Sequence, residues 1–512
     1  MSTCRDVRTR KPTFRAPRYL RAAPSPALVG SLVLLAGCAV GPDFHKPAAP
    51  DVAGYSATPP PAIDATPHVV AGDAQKFMQA ADVPGDWWTL FHSPRLNELI
   101  EQALKTNPDL KSAQAALTVA RENVLAQRGA YFPSIDASFS ATRQRQPGTL
   151  APVPSNNAVL YNLFTPQLSI SYVPDVFGLN RRTVESLEAQ ADQTRFQLMA
   201  TYTTLTSNLV VAVIQEAALR AQIDATHELV DINAKQVEIL KYQFEKGYAG
   251  GLDLAAQESQ LAQINAALPP LLKQLDQQHD LIAVLAGRFP ADAPAEKFDL
   301  ASLQLPGDLP LSLPSVLVAQ RPDVQQAEAN MHAASALVGV AVANRLPNIE
   351  LTANAGNTAL AMSQIFNTGT SFWSIGANLA APIFEGGKLL HQQRAAEAAY
   401  RQAAEQYRST VLLAFQNVAD TLAALEHDGE GLRAAAAGFD AAKVTLDLSQ
   451  RQERAGYAST LALLNAEQTY QQALITLVQA QFNRYADTAA LFQALGGGWW
   501  HRPELVQEKN EN

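Results

Sequence analysis

Asn107-Pro108-Asp109-Leu110 and Arg321-Pro322-Asp323-Val324 stand 214 residues apart, and other matches radiate from this pair. The same offset carries Ala113 to Ala327, Ala120 to Ala334, Val124 to Val338 and Pro133 to Pro347. Farther along, Pro174 and Gly178 match Pro382 and Gly386 at an offset of 208. Gly247-Tyr248-Ala249 matches Gly456-Tyr457-Ala458 at 209, as do Leu252, Leu254, Glu258 and Gly287 with Leu461, Leu463, Glu467 and Gly496. An ordered series whose offset drifts so little marks a duplicated unit.

Each repeat has one grammar. A helix at 105–131 and 321–345 stops at Phe132-Pro133 and Leu346-Pro347, because proline does not continue a helix. Strands at 135–142 and 349–356 alternate with period two: Ile135, Ala137, Phe139 and Ala141 against Asp136, Ser138, Ser140 and Thr142. Loops at 143–163 and 357–370 lead to second strands (Leu168, Ile170, Tyr172; Trp373, Ile375, Ala377, Leu379), which Pro174 and Pro382 end. Proline-free stretches at 181–245 and 388–454 predict helices on the order of 100 Å long. Turns at Lys246–Gly251 and Ala455–Ser459 lead to returning helices at 252–287 and 460–495. Leu261, Ile264, Leu268, Leu271 and Leu275 give the first a coiled-coil seam, and Pro269-Pro270 predicts a kink or break in it.

With 47% hydrophobic and 17% charged residues, the 512-residue chain is not disordered by composition. Its net charge of −9 argues against a nucleic-acid partner. Residues 1–37 read as an export signal: Arg5, Arg8, Arg10, Lys11, Arg15, Arg18 and Arg21 precede a short apolar run, Ala27 to Ala36. Leu35-Ala36-Gly37-Cys38 resembles the bacterial lipobox, so Cys38 is the expected lipid attachment, carrying diacylglycerol and an N-acyl chain. Ala39, rather than Asp, follows it; by that resemblance this favours delivery to the outer membrane. Cys4 would leave with the signal, and no disulfide could form. Beyond Cys38 no run of 18 apolar residues occurs, so any membrane span must be built from strands.

Two repeats with two strands each give four strands, too few to close a barrel, for which about eight is the minimum. An open sheet edge in lipid leaves unsatisfied backbone groups. Chains must therefore share one barrel. Two copies supply eight strands and three supply twelve, the latter leaving room for a lumen; the strand count does not choose. No enzyme site emerges from the nine scattered histidines, and the chain has no HExxH, phosphate loop or G-x-S-x-G elbow. His427-Asp428-Gly429-Glu430, the one compact polar cluster, reads as a helix irregularity rather than a metal site.

The chain resembles the TolC-like outer-membrane efflux factors, in particular the NodT-type lipoproteins of tripartite efflux systems. The resemblance runs through Cys38-Ala39-Val40-Gly41-Pro42-Asp43-Phe44, Trp87-Trp88-Thr89-Leu90-Phe91, Leu313-Pro314-Ser315, Pro382-Ile383-Phe384-Glu385-Gly386-Gly387 and Ala494-Leu495-Gly496-Gly497-Gly498-Trp499. It implies a mainly α fold with a membrane β-barrel part: a homotrimer with a shared 12-stranded barrel and a long periplasmic α-helical barrel. It divides the chain into signal peptide 1–37, lipid-anchored segment 38–104, repeat 1 at 105–287, equatorial linker 288–320, repeat 2 at 321–496 and tail 497–512. Segment, linker and tail would form an equatorial belt. The implied function is a passive exit duct in outer-membrane lipid. It docks to a periplasmic adaptor and an inner-membrane pump of the resistance-nodulation-division class, which supplies the energy, and needs no cofactor. By the same resemblance, the turns at Gly247, Tyr248, Gly456 and Tyr457 meet the adaptor. Their glycines also suit helix C-caps. Leu252, Leu254, Leu461 and Leu463 are expected mostly in the seam. The resemblance also implies a tip that closes with acidic residues near its constriction, which makes Asp440 and Asp447, seven apart on one helix face, the candidate gate; the alternative is a solvated helix face. The competing readings are a protein-secretion duct, a lipid-anchored periplasmic coiled-coil scaffold with no channel, and a lipoprotein enzyme.

Overall fold

A computed structural model describes residues 39–145, 160–293 and 297–502 of the chain. Cys4, Cys38, most of the loop expected at 143–163 and residues 503–512 of the expected tail lie outside the described residues. In chain order the main elements are β1 Lys76–Gln79, α1 Pro94–Thr106, α2 Pro108–Arg128, β2 Ser134–Arg145 and β3 Leu160–Tyr172. Then come α3 Leu179–Glu245, α4 Gly251–Leu285, β4 Asp308–Leu311, α5 Pro314–Gln320 and α6 Pro322–Ala343. The chain continues through β5 Asn348–Asn357, β6 Ser371–Ala380, α7 Lys388–Arg454 and α8 Thr460–Ala494.

The duplication is visible element by element. α3 and α7 both have 67 residues, and α4 and α8 both have 35. At 1.5 Å per residue each long helix is about 100 Å long. Both start from a glycine in the left-handed region, Gly178 at φ +79° and Gly387 at φ +87°. The structural equivalence at this point is therefore 209 residues, one more than the Gly178–Gly386 sequence match.

Three local expectations change. The first repeat helix starts at Pro108, not 105. Proline cannot follow on from α1, and the Asn107 side chain caps the new helix, accepting from the N–H groups of Asp109 (2.9 Å) and Leu110 (3.1 Å). Second, of the kink or break expected at Pro269-Pro270 there is no break: α4 is assigned continuously through both. The carbonyls those prolines leave unpaired belong to Asn265 and Ala266, both exposed, so water can satisfy them. Third, His427–Glu430 is no irregularity, since α7 is continuous there. Gly429 is a notch: a Cβ on it would lie 2.4 Å from Cγ2 of Ile63, in the segment that wraps the helices.

That wrapping segment builds a belt. β1 pairs in parallel with β4, a two-stranded join between the N-terminal segment and the linker that periodicity did not reveal. Trp87 stacks on Phe492 of α8 at 5.1 Å between ring centroids, and Trp87, Trp88 and Phe91 are fully buried. Arg484, also fully buried, donates to the Asp73 carbonyl and to Gln75 Oε1, each at 2.9 Å. Part of α3 is apolar enough to cross a membrane by composition, but 67% of that stretch is buried within the chain, as in a core helix.

Candidate functional site

The four long strands form one antiparallel sheet in the order β2-β3-β5-β6. Directly opposed residues share a face. The register puts Ile135 opposite Ile170, Ala137 opposite Leu168, Leu168 opposite Ala355, and Ala355 opposite Trp373. One face is thus Ile, Leu, Phe, Ala and Trp across the sheet, and its large members lie open; Trp373 is 76% exposed. The other face carries Asp136, Ser138, Ser140, Ser169, Gln167, Thr352 and Asn354. Its small polar groups bond to one another: Ser171 Oγ donates to Glu350 Oε1 at 2.9 Å, and Asn354 Nδ2 to Ser374 Oγ at 3.4 Å. Tyr161, Leu163 and Phe372 interrupt the polar face only at the loop end. There Arg143 and Arg145 end the apolar face. An apolar face and a wettable face on strands of 10 to 13 residues suit a wall between lipid and a water-filled lumen. β2 and β6 form the sheet's outer edges, each with one side unpaired among the described residues.

At the far end of the helices the two turns are near copies. Tyr248 N–H donates to Gln243 O, and Tyr457 N–H to Gln452 O, both at 2.8 Å. Gly247 and Gly456 each adopt φ +77°. This is a Schellman cap, and it needs the glycines for their left-handed backbone. The cap uses only the backbone N–H groups of the tyrosines, and their side chains lie open: Tyr248 is 83% and Tyr457 87% exposed. The four leucines divide by pairs: Leu252 and Leu461 are exposed, Leu254 is half-buried and Leu463 buried. Asp440 and Asp447 are both exposed on α7, and Asp447 is paired with Arg451 at 2.5 Å.

About two helical turns from the second tip lies a group that sequence reasoning passed over. Glu467 on α8 is 1% exposed, and neither carboxyl oxygen accepts a hydrogen bond from the described residues. It sits beside amides of the first repeat: Gln257 Nε2 donates to Asn233 Oδ1 at 2.8 Å, and Gln468 Nε2, from the next residue of α8, donates across to Gln260 Oε1 at 3.2 Å. Burial pushes the carboxyl up to about 7; the nearby Gln257 and Asn233 side chains hold it down in part, and Glu453 raises it further. Its repeat counterpart, Glu258, is exposed. The repeat alignment marked both positions but carried no sign of that difference.

A family model described as "Outer membrane efflux protein" matches residues 99–288 and 313–497. The toluene efflux pump outer membrane protein TtgF of Pseudomonas putida is 30% identical over 474 residues, covering 91% of this chain and 95% of that protein. The antibiotic efflux pump outer membrane protein ArpC of Pseudomonas putida is 29% identical, over 93% of this chain and 96% of its own length. Among solved structures, the outer-membrane channel OprN has a TM-score of 0.79 at 26% identity, covering 90% of this chain and all of that one. The Campylobacter jejuni CmeC outer membrane channel has a TM-score of 0.82 at 21% identity, over 92% of this chain and 98% of that one; that likeness speaks for the fold.

Proposed function

The chain belongs to the outer membrane efflux protein family, and from that membership we infer that it is the outer-membrane exit duct of an efflux system in a Gram-negative cell. The observation that carries this reading is the sheet: apolar on one face, small and polar on the other, open at both edges among the described residues, and continuous with helices about 100 Å long. Such a chain offers a solute a wet wall and a long corridor. It supplies no energy and makes no bond; transport is driven by the pump to which the corridor connects.

The finer assignments rest on this reading. Three copies make the duct, since twelve strands enclose a lumen where eight are filled by their own side chains. Cys38 carries the lipid anchor, one residue before Ala39 in the sequence, where the described chain begins. Val40 N–H donates to Phe177 O at 3.1 Å, directly after β3, which supports an anchor at the periplasmic membrane boundary. The exposed tyrosines and Leu252 and Leu461 at the tips meet the periplasmic adaptor, and an inner-membrane pump of the resistance-nodulation-division class completes the assembly. The Asp440 and Asp447 carboxylates line the helical end of the corridor and gate it. Double substitution to alanine is expected to alter cation selectivity or conductance in bilayer recordings; unchanged recordings would remove both from the gate.

Deletion in the native host tests the function. Cells without the chain are expected to become several-fold more sensitive to solvents or antibiotics and to regain resistance on complementation. Unchanged sensitivity to every exported compound of the intact pump would favour the scaffold reading.

A further inference from the structure

Toward their tips the two helical hairpins of the chain, α3–α4 and α7–α8, meet through polar side chains. Asn233 of α3, Gln257 and Gln260 of α4 and Glu467 of α8 are all buried. The buried apolar cluster at this level, Leu446, Leu463 and Ala466, belongs to the second hairpin alone. Nearer the belt, Ser207 Oγ donates to Gln493 Oε1 at 2.8 Å. On the tip side of that bond, the link from Gln468 to Gln260 is the one side-chain hydrogen bond between the hairpins among the described residues. The joint there depends on how a few polar groups are paired.

Their hydrogen bonds run in one direction. Asn233 Nδ2 donates to Leu229 O at 3.0 Å, and Gln257 Nε2 donates to Asn233 Oδ1 at 2.8 Å. The run starts at Gln257 Oε1, which is buried and accepts from none of the described residues; both Glu467 oxygens are in the same condition. Leaving buried acceptors unpaired is costly. What the layer lacks is a donor, and a neutral carboxyl has one. We propose that Glu467 is a proton-operated clasp between the hairpins. In its neutral form the O–H donates to Gln257 Oε1 and completes a chain from α8 through α4 to α3. When the proton leaves to water, the carboxylate is acceptor only. It then draws the amide hydrogens of Gln257 and Asn233 away from Asn233 Oδ1 and Leu229 O, or admits water, and either outcome breaks the chain.

The surroundings set the direction. Burial holds the proton on Glu467 up to about pH 7, the Gln257 and Asn233 side chains oppose this in part, and Glu453 of α7 reinforces it. Lys235 of α3 and Arg454 of α7 line the adjacent cavity of about 450 Å3 together with Glu453. On α8, Tyr470 stands one turn farther on, its hydroxyl pushed up by burial and by Glu228 of α3. On α4, Glu258 is exposed. The clasp is therefore closed in mild acid and opens as pH rises through about 7. Glu258 is the repeat counterpart of Glu467, so each chain has one clasp, on the second hairpin. For its effect on transport the proposal rests on the duct reading: α8 runs from the clasp to the second tip, and its release frees that tip to swing outward.

Hydrogen exchange on the full-length, membrane-extracted protein tests the clasp. After correction for intrinsic pH dependence, the amides of 461–470 are expected to exchange at least tenfold faster at pH 8 than at pH 6, with a midpoint near pH 7. Glu467→Gln, whose amide N–H can replace the carboxyl O–H toward Gln257, is expected to remain protected at both. Glu453→Gln is expected to move the midpoint to lower pH. A parent without the step, a step that survives in Glu467→Gln, or a midpoint indifferent to Glu453→Gln overturns the clasp. Single-channel recordings test its consequence: conductance at least twofold higher at pH 8 than at pH 6 in the parent, and no such difference in Glu467→Gln. A protein that forms no channel at any pH overturns the duct reading and leaves exchange to decide the clasp. A channel indifferent to pH, in a protein whose exchange does step, overturns the link between clasp and entrance.

Discussion

Glu467 shows how much can hang on a single side chain. Its carboxyl titrates at about 7 when folded and at 4.5 when exposed, so the folded state holds the proton more tightly. The sign follows from linkage: the stabilisation is complete below about pH 4.5 and disappears as pH rises through about 7, costing at most about 3 kcal/mol. Glu467→Gln, which keeps the shape and removes the titration, is predicted to melt several degrees higher than the parent at pH 8. At pH 5 the two should melt within a degree or so. Equal losses between pH 5 and pH 8 in parent and variant would contradict this. The sequence could not show it. Glu258 and Glu467 are identical in the repeat alignment, and burial is decided by neighbours: Glu467 lies against Asn233 and Gln257 of the other repeat, a contact that no local pattern encodes. Trp87 is a plainer case. Burial between Phe91 and Phe492 predicts a loss of about 3–5 kcal/mol for Trp87→Ala, read as a lower melting temperature with the secondary structure retained.

At the scale of elements the sequence was largely legible, because periodicity and punctuation are local. Proline and glycine fixed both ends of α3 and α7 to within two residues of the expected spans, and strand alternation assigned both faces of the sheet. What was not legible depended on tertiary context. β1 and β4 are four residues each and pair across the whole first repeat, too short to show a period. Pro269-Pro270 reads as a breaker, but its consequences depend on whether the freed carbonyls meet water, and here they do. Replacing both prolines by alanine is predicted to slow hydrogen exchange through the following turn at least tenfold, since the i→i−4 ladder is restored. Unchanged exchange would mean that the ladder is not what those prolines weaken. The tip turns make a separate prediction. Tyr248→Ala with Tyr457→Ala should leave the Schellman caps and the melting temperature intact while weakening adaptor binding roughly tenfold, the ordinary effect of losing exposed aromatic anchors. Undiminished adaptor binding would move the docking surface elsewhere.

For the whole molecule, one fact organises the rest: a sheet that, among the described residues, has two unpaired edges and an uncovered apolar face cannot be a finished structure in either water or lipid. The sequence already carried this, since a strand count of four needs no coordinates. The structure adds where the gaps lie, at β2 and β6, on the flanks where another copy would stand. The central claim is tested most directly by the mass of the detergent-solubilised particle, corrected for bound detergent. Three chains per particle is the predicted result, because it supplies twelve strands around an open lumen. A single chain, or a protein that stays soluble without detergent once its lipid is removed, would contradict the shared barrel and with it the duct.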